Sequence, residues 1–560
     1  MAGFWSVVGL AIKSLFAGQD ANGHTGDVVT SDSDVTTSEP EPSYRYAIAR
    51  FSGANPANAN PANANPANAN PANASAAGGA TPTNPEQPDA IANILSRSLA
   101  SIPDSQVVLV NQFFAPNPDV ADPFQAIRET KLGALNVAHQ RDAQAMFWGR
   151  QNDVTGQLEV HLISDELASS LYGLIMPLTH CFKLPEHHDT TEALRILLSA
   201  ELVHQARGSE MRSQQMARLT SHLEDLLERI QKGDTFDAAG PGVATAYAFA
   251  AYVLAETGDR KYCATAMRVI EPQIRQILKA AGDQPVEKAV VKAAAPSGLL
   301  GEKLHHKEVV VKEASTEELI AGISDFDKVD CQKTAILALY GGLVNWSLVS
   351  NMQASTGTLA IALWKFLVRR FELTGGSAAD CATAICRVGE ALVAHAKETE
   401  NAKLADSGVV QFRRAIGMIS NRSHAALYAI AAYGLAESIV ASALINDIHI
   451  PDEQVIPVYQ ASLKVCARRD QPYIWGRTMF ALASVQLMNG SQSKDSKMTG
   501  LARVSFSQAY EAFTDAGAKG AARAASGGYT RAENMLSQLS HRKAVMDATG
   551  GENNQESTGS

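Results

Sequence analysis

The tetrapeptide Val-Tyr-Gln-Ala at 458–461 recurs in kind as Ala-Tyr-Glu-Ala at 509–512, 51 residues further along the chain. Self-similarity of this kind is typical of proteins built from a stacked structural unit. Between the two copies, Pro472 and Trp475 precede a run of apolar residues at helical spacing. A polar stretch at 489–500, rich in Ser, Lys and Gly, predicts a loop that lengthens the interval.

Two further stretches predict helix–turn–helix pairs. Residues 243–256 and 262–278 flank one Thr-Gly turn, and residues 359–373 and 378–396 flank another. Each predicted second helix contains Cys-Ala-Thr-Ala soon after its turn, which indicates duplicated units. A two-helix unit cannot bury its apolar face alone, so such units stack and form a curved surface.

The chain from residue 165 onward is therefore predicted to be helical, without a convincing strand pair. We expect two lobes, 165–279 and 317–545, joined by a linker or long loop at 280–316 with a Pro-Ser-Gly turn. Pro272 should kink or split its helix, because proline removes a backbone N–H and clashes with the preceding turn. The Gly-, Asn-, Glu- and Ser-rich tail at 546–560 is predicted to be disordered.

The region 44–164 has a different pattern, which predicts four short strands and two helices. The strands are expected at 44–51, 106–111, 145–149 and 158–163, and the helices at 90–102 and after Pro123. The run Val-Val-Leu-Val in the second strand is typical of a buried central strand. The order β-α-β-α-β-β predicts parallel strands with right-handed crossovers and a hairpin at one edge.

Two segments are predicted to be disordered. Asn-Pro-Ala-Asn-Ala repeats fill most of an insert at 53–80, and a proline every five residues forbids both a helix and a strand ladder. Residues 17–43 are polar, with almost no large apolar side chain, and predict a flexible tether.

Residues 1–16 form a short amphipathic peptide ahead of this tether. As a helix its apolar part would span about 20 Å, which is too short to cross a bilayer core of about 30 Å. Its docking candidates are Phe4, Trp5, Leu10, Ile12 and Phe16. Three destinations stay open: a membrane interface, a groove on a partner protein, or the protein's own surface. We expect a cytoplasmic protein, with peripheral contact to the inner face of the membrane as one alternative.

Composition and motifs argue against several functions. The net charge is −10, and no Lys/Arg cluster stands out, so nucleic acid is not expected as a partner. The sequence has no phosphate-binding loop, no H-E-x-x-H and no G-x-S-x-G. Six scattered cysteines are predicted to be small buried apolar residues: Cys181, Cys263, Cys331, Cys381, Cys386 and Cys466. We therefore expect no enzymatic activity, no cofactor and no metal.

Two family resemblances add to this interpretation. Tyr-Ala-Ile-Ala-Arg-Phe at 46–51, Ala-Met-Phe-Trp-Gly-Arg at 145–150 and Leu-Glu-Val-His-Leu-Ile at 158–163 resemble TolB-like N-terminal domains. Such domains are often fused in bacteria to tetratricopeptide (TPR) arrays, and the stretch around Trp475 resembles a TPR variety. An acidic Asp-Gly-Leu run that many TolB-like domains carry is missing here. The resemblance implies a bacterial interaction module without known chemistry.

The predicted fold is α/β plus all-α: a small βαβαββ domain followed by a TPR-like α-solenoid in two lobes. The expected function is a non-catalytic protein-binding scaffold or signalling adaptor that binds other proteins. Trp475 and Tyr510 are the candidate residues of the repeats, with Trp475 expected mainly in buried packing. The alternative is a small-molecule sensor with a ligand between the α/β domain and the helices.

Overall fold

The structure, a computed structural model, describes residues 44–53, 90–100, 105–115, 117, 119, 123–143, 145–151, 158–164, 181–184, 188–205, 209–232, 241–256, 261–281, 288–291, 309–312, 315–321, 323, 329, 331–351, 354–373, 377–469 and 471–552. The peptide 1–16, the tether 17–43, the Asn-Pro-Ala insert beyond residue 53 and the tail after residue 552 lie outside the described residues. Residues 546–552 belong to a helix, so the disorder predicted for the tail is wrong there.

Five strands form one mixed sheet in the order β2-β1-β3-β4-β5. They are β1 (Tyr44–Gly53), β2 (Ser105–Val110), β3 (Ala145–Gln151), β4 (Leu158–Ser164) and β5 (Cys181–Leu184). β1 runs parallel to β2 and β3, whereas β4 is antiparallel to β3 and β5. Two helices, α1 (Ala90–Ala100) and α2 (Pro123–Gln140), lie in the connections, so the predicted order of these elements is confirmed.

The sheet differs from the prediction at both edges. β2 was expected at the centre because of its Val-Val-Leu-Val run, yet it pairs with β1 alone among the described strands. The strand after residue 164, β5, was missed because four residues are too few to show an alternating pattern. The hairpin strand β4 is therefore internal, and β5 forms the second edge.

Alternation along the strands divides the core of the sheet between its two faces. Ile48 and Phe147 face α1 and belong to the same apolar core as the helices that follow. Ala47, Met146 and Trp148 lie on the opposite face, in a separate cluster with residues of α2. One face of the sheet thus continues directly into the helical region.

Fourteen helices follow in the described part of the chain. They are α3 (His188–Gln205), α4 (Ser209–Gln231), α5 (Pro241–Glu256), α6 (Cys263–Ala281), α7 (Thr316–Ala321), α8 (Cys331–Asn351), α9 (Ala354–Leu373), α10 (Ala378–Thr399), α11 (Ala402–Met418), α12 (Ala425–Ile445), α13 (Asp452–Val465), α14 (Pro472–Ser493), α15 (Ser496–Asp515) and α16 (Lys519–Glu552). Between α6 and α7, β6 (Lys288–Val291) and β7 (Val309–Lys312) form an antiparallel pair. The expectation of a helical chain without a strand pair after residue 165 is therefore wrong at this point.

Packing arranges these helices in two layers. The inner layer comprises α3, α5, α8, α10, α12, α14 and α16, each of which contacts the next in that series. The outer layer comprises α4, α6, α9, α11, α13 and α15, and each of these lies against two successive inner helices. Stacked two-helix units of this kind are the architecture of a helical-repeat array.

The last five inner helices repeat at a constant interval. They begin at Cys331, Ala378, Ala425, Pro472 and Lys519, so the interval is 47 residues each time. This corrects the predicted 51-residue interval, and it is longer than the 34 residues of a TPR unit. The predicted loop at 489–500 is also wrong, because only two residues separate α14 from α15.

Two other expectations change with the layer assignment. Cys263 opens an outer helix, whereas Cys381 lies in an inner helix, so the Cys-Ala-Thr-Ala echo does not mark equivalent positions. Pro272 lies inside one continuous helix, α6, and does not split it. Local similarity of sequence was therefore a poor guide to equivalence, which depends on the packing partners.

The two predicted lobes are not separate. α6 and α8, on either side of the predicted linker 280–316, pack against each other. One apolar core runs from sheet residues such as Ile48 through Leu343 to Leu427. A second cluster begins within α12 at Ala436, so α12 belongs to both. The array is continuous because each added unit buries the apolar face of the unit before it.

Both ends of the array are covered. At the start, α3 contacts α1 and α5 contacts β5, so the α/β domain lies against the first helices. At the other end, α16 exposes Arg523, Ser526 and Thr530. Their counterparts 47 residues earlier, Gly476, Met479 and Ala483, are buried. α16 is thus a polar terminal helix, the usual device that ends a repeat array in water.

α12 is the single helix in the described ranges that is long and apolar enough to cross a membrane by length and composition. In the structure it packs between α10, α11, α13 and α14, and more than half of its residues are buried. This placement is that of a core helix in the array.

Candidate functional site on the inner layer

One packing arrangement recurs in successive units. Phe412, Tyr459 and Phe506 lie 47 residues apart on α11, α13 and α15, and all three are fully buried. The ring of Phe412 lies so close to Gly389 and Gly434 that a Cβ there would be 2.6 Å and 2.2 Å from ring carbons. Small residues occupy the matching positions beside the other two rings: Ala436 and Ala481 for Tyr459, and Ala483 and Gly528 for Phe506. Stacking therefore requires small residues at these places.

Arg387 is an exception to this requirement for a small residue beside a buried ring. It is the residue of α10 that aligns with Gly434, Ala481 and Gly528 in the later units. Its Nη1 donates to Glu390 Oε2 over 2.8 Å, and its Nη2 donates to the Tyr252 hydroxyl over 2.8 Å. Tyr252 belongs to α5 and lies against Gly342 of α8, where a Cβ would be 2.3 Å from the ring. The missing side chain at Gly342 lets Tyr252 reach Arg387 of α10.

Arg477 of α14 is a second departure. The aligned residues in other units are Thr383, Ile430 and Ala524. Its guanidinium carbon lies 4.1 Å from the centroid of the Tyr433 ring, within the range of a cation–π contact. Its Nη2 lies 4.0 Å from Glu390 Oε1, so Arg477 links α12 and α10.

Lys397 of α10 is the third charged residue at a position where aligned units differ. The aligned residues include Leu444 and Ser491. Its Nζ donates to Glu437 Oε2 of α12 over 2.9 Å. The hydroxyl of Tyr459 donates to the other oxygen of Glu437 over 2.7 Å. The side chains of Lys397 and Glu437 keep 22% and 18% of their exposure, so this ion pair is partly exposed to solvent.

The surroundings of Glu437, Tyr433 and Tyr459 determine the protonation states of these three side chains. Burial acts to raise the pKa of Glu437, but the charge of Lys397 and the hydrogen bonds from Tyr459 and Lys397 outweigh it and lower that pKa. Burial, followed by the charge of Glu437, raises the pKa of Tyr433 and of Tyr459. Both phenols therefore stay neutral, and Tyr459 remains a hydrogen-bond donor.

We call Arg387, Glu390, Lys397, Tyr433, Glu437 and Arg477 the inner-layer polar cluster. It connects three successive inner helices and places charged groups and one aromatic ring side by side. Its acids and bases are paired with one another, which suits recognition of polar groups better than proton transfer. In the described ranges, no group of three or more His, Cys, Asp or Glu residues is placed to hold a metal ion.

The candidates from the sequence lie elsewhere. Phe4, Trp5, Leu10, Ile12 and Phe16 are outside the described residues. Trp475 is half-buried and packs against the C-terminal apolar cluster, while Tyr510 is exposed on α15 of the outer layer. Neither belongs to the inner-layer polar cluster. Four of the cysteines are buried as predicted: Cys263, Cys381, Cys386 and Cys466.

Sequence reasoning missed the cluster, although a signal existed. Glu437 is the one charged residue in α12, an otherwise apolar helix of 21 residues. Alignment at the 47-residue interval would have shown Arg387 and Arg477 at positions that other units fill with small or apolar residues. That interval was not visible, because the repeated positions share size more than identity.

Two other places in the described structure lack the convergent polar groups of a ligand site. A recess of about 820 Å³ follows the solvent side of α6 and is lined by Arg268, Glu271, Pro272, Arg275, Gln276, Lys279 and Ala280. All of these described lining residues come from one helix, so the recess brings no separate elements together. The junction between the sheet and α3 is occupied by the shared apolar core, and the sensor alternative gains no support there.

Comparison with known proteins adds little. No protein-family model matches the chain. No curated protein matches it. A similar solved structure carries the name "Circular tandem repeat protein with novel repeat topology and enhanced subunit contact surfaces". It is 10% identical, covers 76% of this chain and 78% of its own, and has a TM-score of 0.19, too low to carry an argument. The helical-repeat assignment therefore rests on the two layers and the 47-residue interval.

Proposed function

We propose that this protein is a non-catalytic protein-binding scaffold whose inner-layer polar cluster contacts an extended segment of a partner protein. One observation carries the proposal. Three cationic side chains, Arg387, Lys397 and Arg477, occupy repeat positions that the other units fill with uncharged residues. Lys397 and Arg477 pair with acids across α10, α12 and α14.

The repeat itself provides the physical reason. Stacking makes the same demand at the same position of every unit, so a position that stacking alone controls receives similar residues throughout. Burying charges has a desolvation cost that apolar residues of similar volume avoid. Lys397 and Arg477, whose side chains keep 22% and 16% of their exposure, are thus unexplained by stacking, and recognition is the function that accounts for them.

The kind of partner follows from the exposure of the cluster. The side chains of the two ion pairs Lys397–Glu437 and Arg477–Glu390 keep only 16–22% of their exposure, and such narrow access suits an extended segment better than a folded domain. Arginine and tyrosine are also the residues that dominate binding energy at protein interfaces. Arg477 stacked on Tyr433 is therefore the expected centre of the contact.

The finer assignments form part of the same proposal. A signalling role, a TolB-like first domain, a bacterial source and a cytoplasmic location are supported only by the family resemblance and by the βαβαββ order. The TPR resemblance is supported by the two-layer stacking but not by the length of the unit.

Site-directed crosslinking tests the proposal. Ser484 of α14 aligns with Glu390 and Glu437, and Gln508 is exposed on the outer helix α15. We expect a benzophenone label on Ser484→Cys to crosslink a defined set of proteins, and the same label on Gln508→Cys not to do so. The unsubstituted chain, labelled in parallel, accounts for reaction at native cysteines.

A third variant links the crosslinks to the cluster. Arg477→Ala in the Ser484→Cys background should reduce crosslinking at least about tenfold, since truncating a central interface arginine costs roughly 2 kcal/mol. Identical crosslinks from both label positions, or none from position 484, would show that the inner layer is not the binding face.

A further inference from the structure

The two edges of the sheet are protected differently. β5 is four residues long, carries Lys183 and is packed against α5. β2 is six residues long and reads Ser-Gln-Val-Val-Leu-Val, with no charge, proline or glycine. In the described part of the chain no strand pairs with its outer side.

The side chains of β2 add to this asymmetry. Leu109 is 58% exposed, and Phe113, three residues past the strand, is exposed as well. Alternate residues of an edge strand also direct their N–H and C=O groups away from the sheet. In natural proteins, lysine, proline, a β-bulge or a covering element usually protects an edge strand from pairing with another chain. β2 has no lysine, no proline and no bulge.

The sequence of β2 is therefore that of a central strand, whereas its place in the sheet is at an edge. Its run of β-branched and aliphatic residues is typical of a strand with neighbours on both sides, yet it occupies an edge. One further strand on its outer side would satisfy both the backbone groups and the apolar side chains.

We propose that this further strand is β2 of a second copy of the chain, paired antiparallel around a two-fold axis. The pairing is self-complementary because β2 carries no charge that would face its own copy. A two-fold contact uses the same surface on both partners and closes without further growth. It joins the two five-stranded sheets into one sheet of ten strands.

The expected strength follows from the size of the contact. Six residues of a strand span about 20 Å, so the strand pair buries less than the roughly 1,200 Å² typical of stable interfaces. We therefore expect dimerisation to depend on protein concentration. This association is independent of the inner-layer polar cluster, which lies on the helical array.

Sedimentation velocity of the full-length chain over a range of concentrations tests the proposal. The mass should rise from one to two copies with concentration. Leu109→Lys puts like charges into the strand pair and should weaken the association about tenfold. Leu132→Lys is the matched control, because Leu132 is 52% exposed on α2 of the same domain. It should behave like the unsubstituted chain.

Hydrogen exchange gives a second measurement that needs no variant. Amide protons of β2 should exchange more slowly at high protein concentration than at low concentration, whereas those of α15 should not change. A chain that is monomeric at every concentration, or a Leu109→Lys chain that dimerises as strongly as the unsubstituted one, would overturn the proposal.

Discussion

The same three inner helices contain two kinds of position, and the two obey different rules. Beside the buried rings of Phe412, Tyr459 and Phe506, the packing positions hold glycine or alanine, as Gly389 and Gly434 do around Phe412. At the positions of the inner-layer polar cluster, aligned units differ from arginine to alanine. We infer that helix stacking determines the residues at the packing positions. The residues of the inner-layer polar cluster need another explanation.

The sharpest test of the packing positions is Gly434→Ala. The new Cβ would lie 2.2 Å from the ring of Phe412, which is fully buried and lies nearly as close to Gly389 on its other neighbouring helix. We expect a loss of about 3 kcal/mol or more in the free energy of unfolding, as for severe overpacking. Urea denaturation followed by circular dichroism measures it.

The matched control is Gly417→Ala on α11. This glycine is exposed and helical, and its Cβ would meet no atom within 4 Å. Removing backbone freedom without a clash should stabilise the protein by about 0.5–1 kcal/mol. Phe412→Leu combined with Gly434→Ala should cost less than the sum of the single changes. Strict additivity would mean that the ring is not the source of the effect.

Glu437→Gln tests the polar positions. The change leaves Lys397 and Tyr459 without their anionic acceptor. A fully buried pair broken in this way costs about 3–5 kcal/mol, and partial exposure here reduces the expectation to about 2 kcal/mol at neutral pH. Glu228→Gln, in an exposed pair with Lys232, should leave the free energy of unfolding nearly unchanged.

The effect of Glu437→Gln should also depend on pH. The pKa of Glu437 in the folded protein lies below its ordinary value of 4.5, so its carboxylate stabilises the fold above that value. This stabilisation is lost as the pH falls through 4.5 towards the folded pKa. The difference between the variant and the unsubstituted chain should therefore shrink in that range. A difference that is constant from neutral to acidic pH would argue against the ion pair.

The smallest expected effect concerns the surface of the outer layer. Arg468, in the turn after α13, donates to Asp515 over 2.6 Å and to Glu511 over 2.8 Å. These groups are partly exposed, so Arg468→Ala should cost about 0.5–1 kcal/mol and less in high salt. Thermal unfolding at low and high salt measures it, beside Arg469→Ala at the exposed neighbouring position. A salt-independent loss would point to packing by the arginine stem.

Much of the local structure could be read from the sequence. Apolar periodicity predicted four helices of the array, at 243–256, 262–278, 359–373 and 378–396, within about five residues of their ends, and strand patterns predicted β1 to β4. The order of the first six elements followed from the same patterns. The short strands β5, β6 and β7 were missed because four residues show neither period clearly.

The repeat was harder to see than its helices. The aromatic residues Phe412, Tyr459 and Phe506 mark it, but their small partners alternate between glycine and alanine. In an Ala-rich chain such positions do not stand out. The similar tetrapeptides at 458–461 and 509–512 suggested a wrong interval, because Tyr459 aligns with Phe506 rather than with Tyr510.

By itself the sequence determined the order of the first six elements and the helical character of most of the chain after residue 188, since hydrophobic periodicity and turn residues act within a few neighbours along the chain. Only the tertiary structure decided which helices are inner and outer, that β2 is an edge, and that Arg387, Glu437 and Arg477 meet. The physical reason is that each depends on which segments lie side by side. A lone charge in an apolar helix has the same sequence pattern whether it faces water or a partner from a helix 40 residues away.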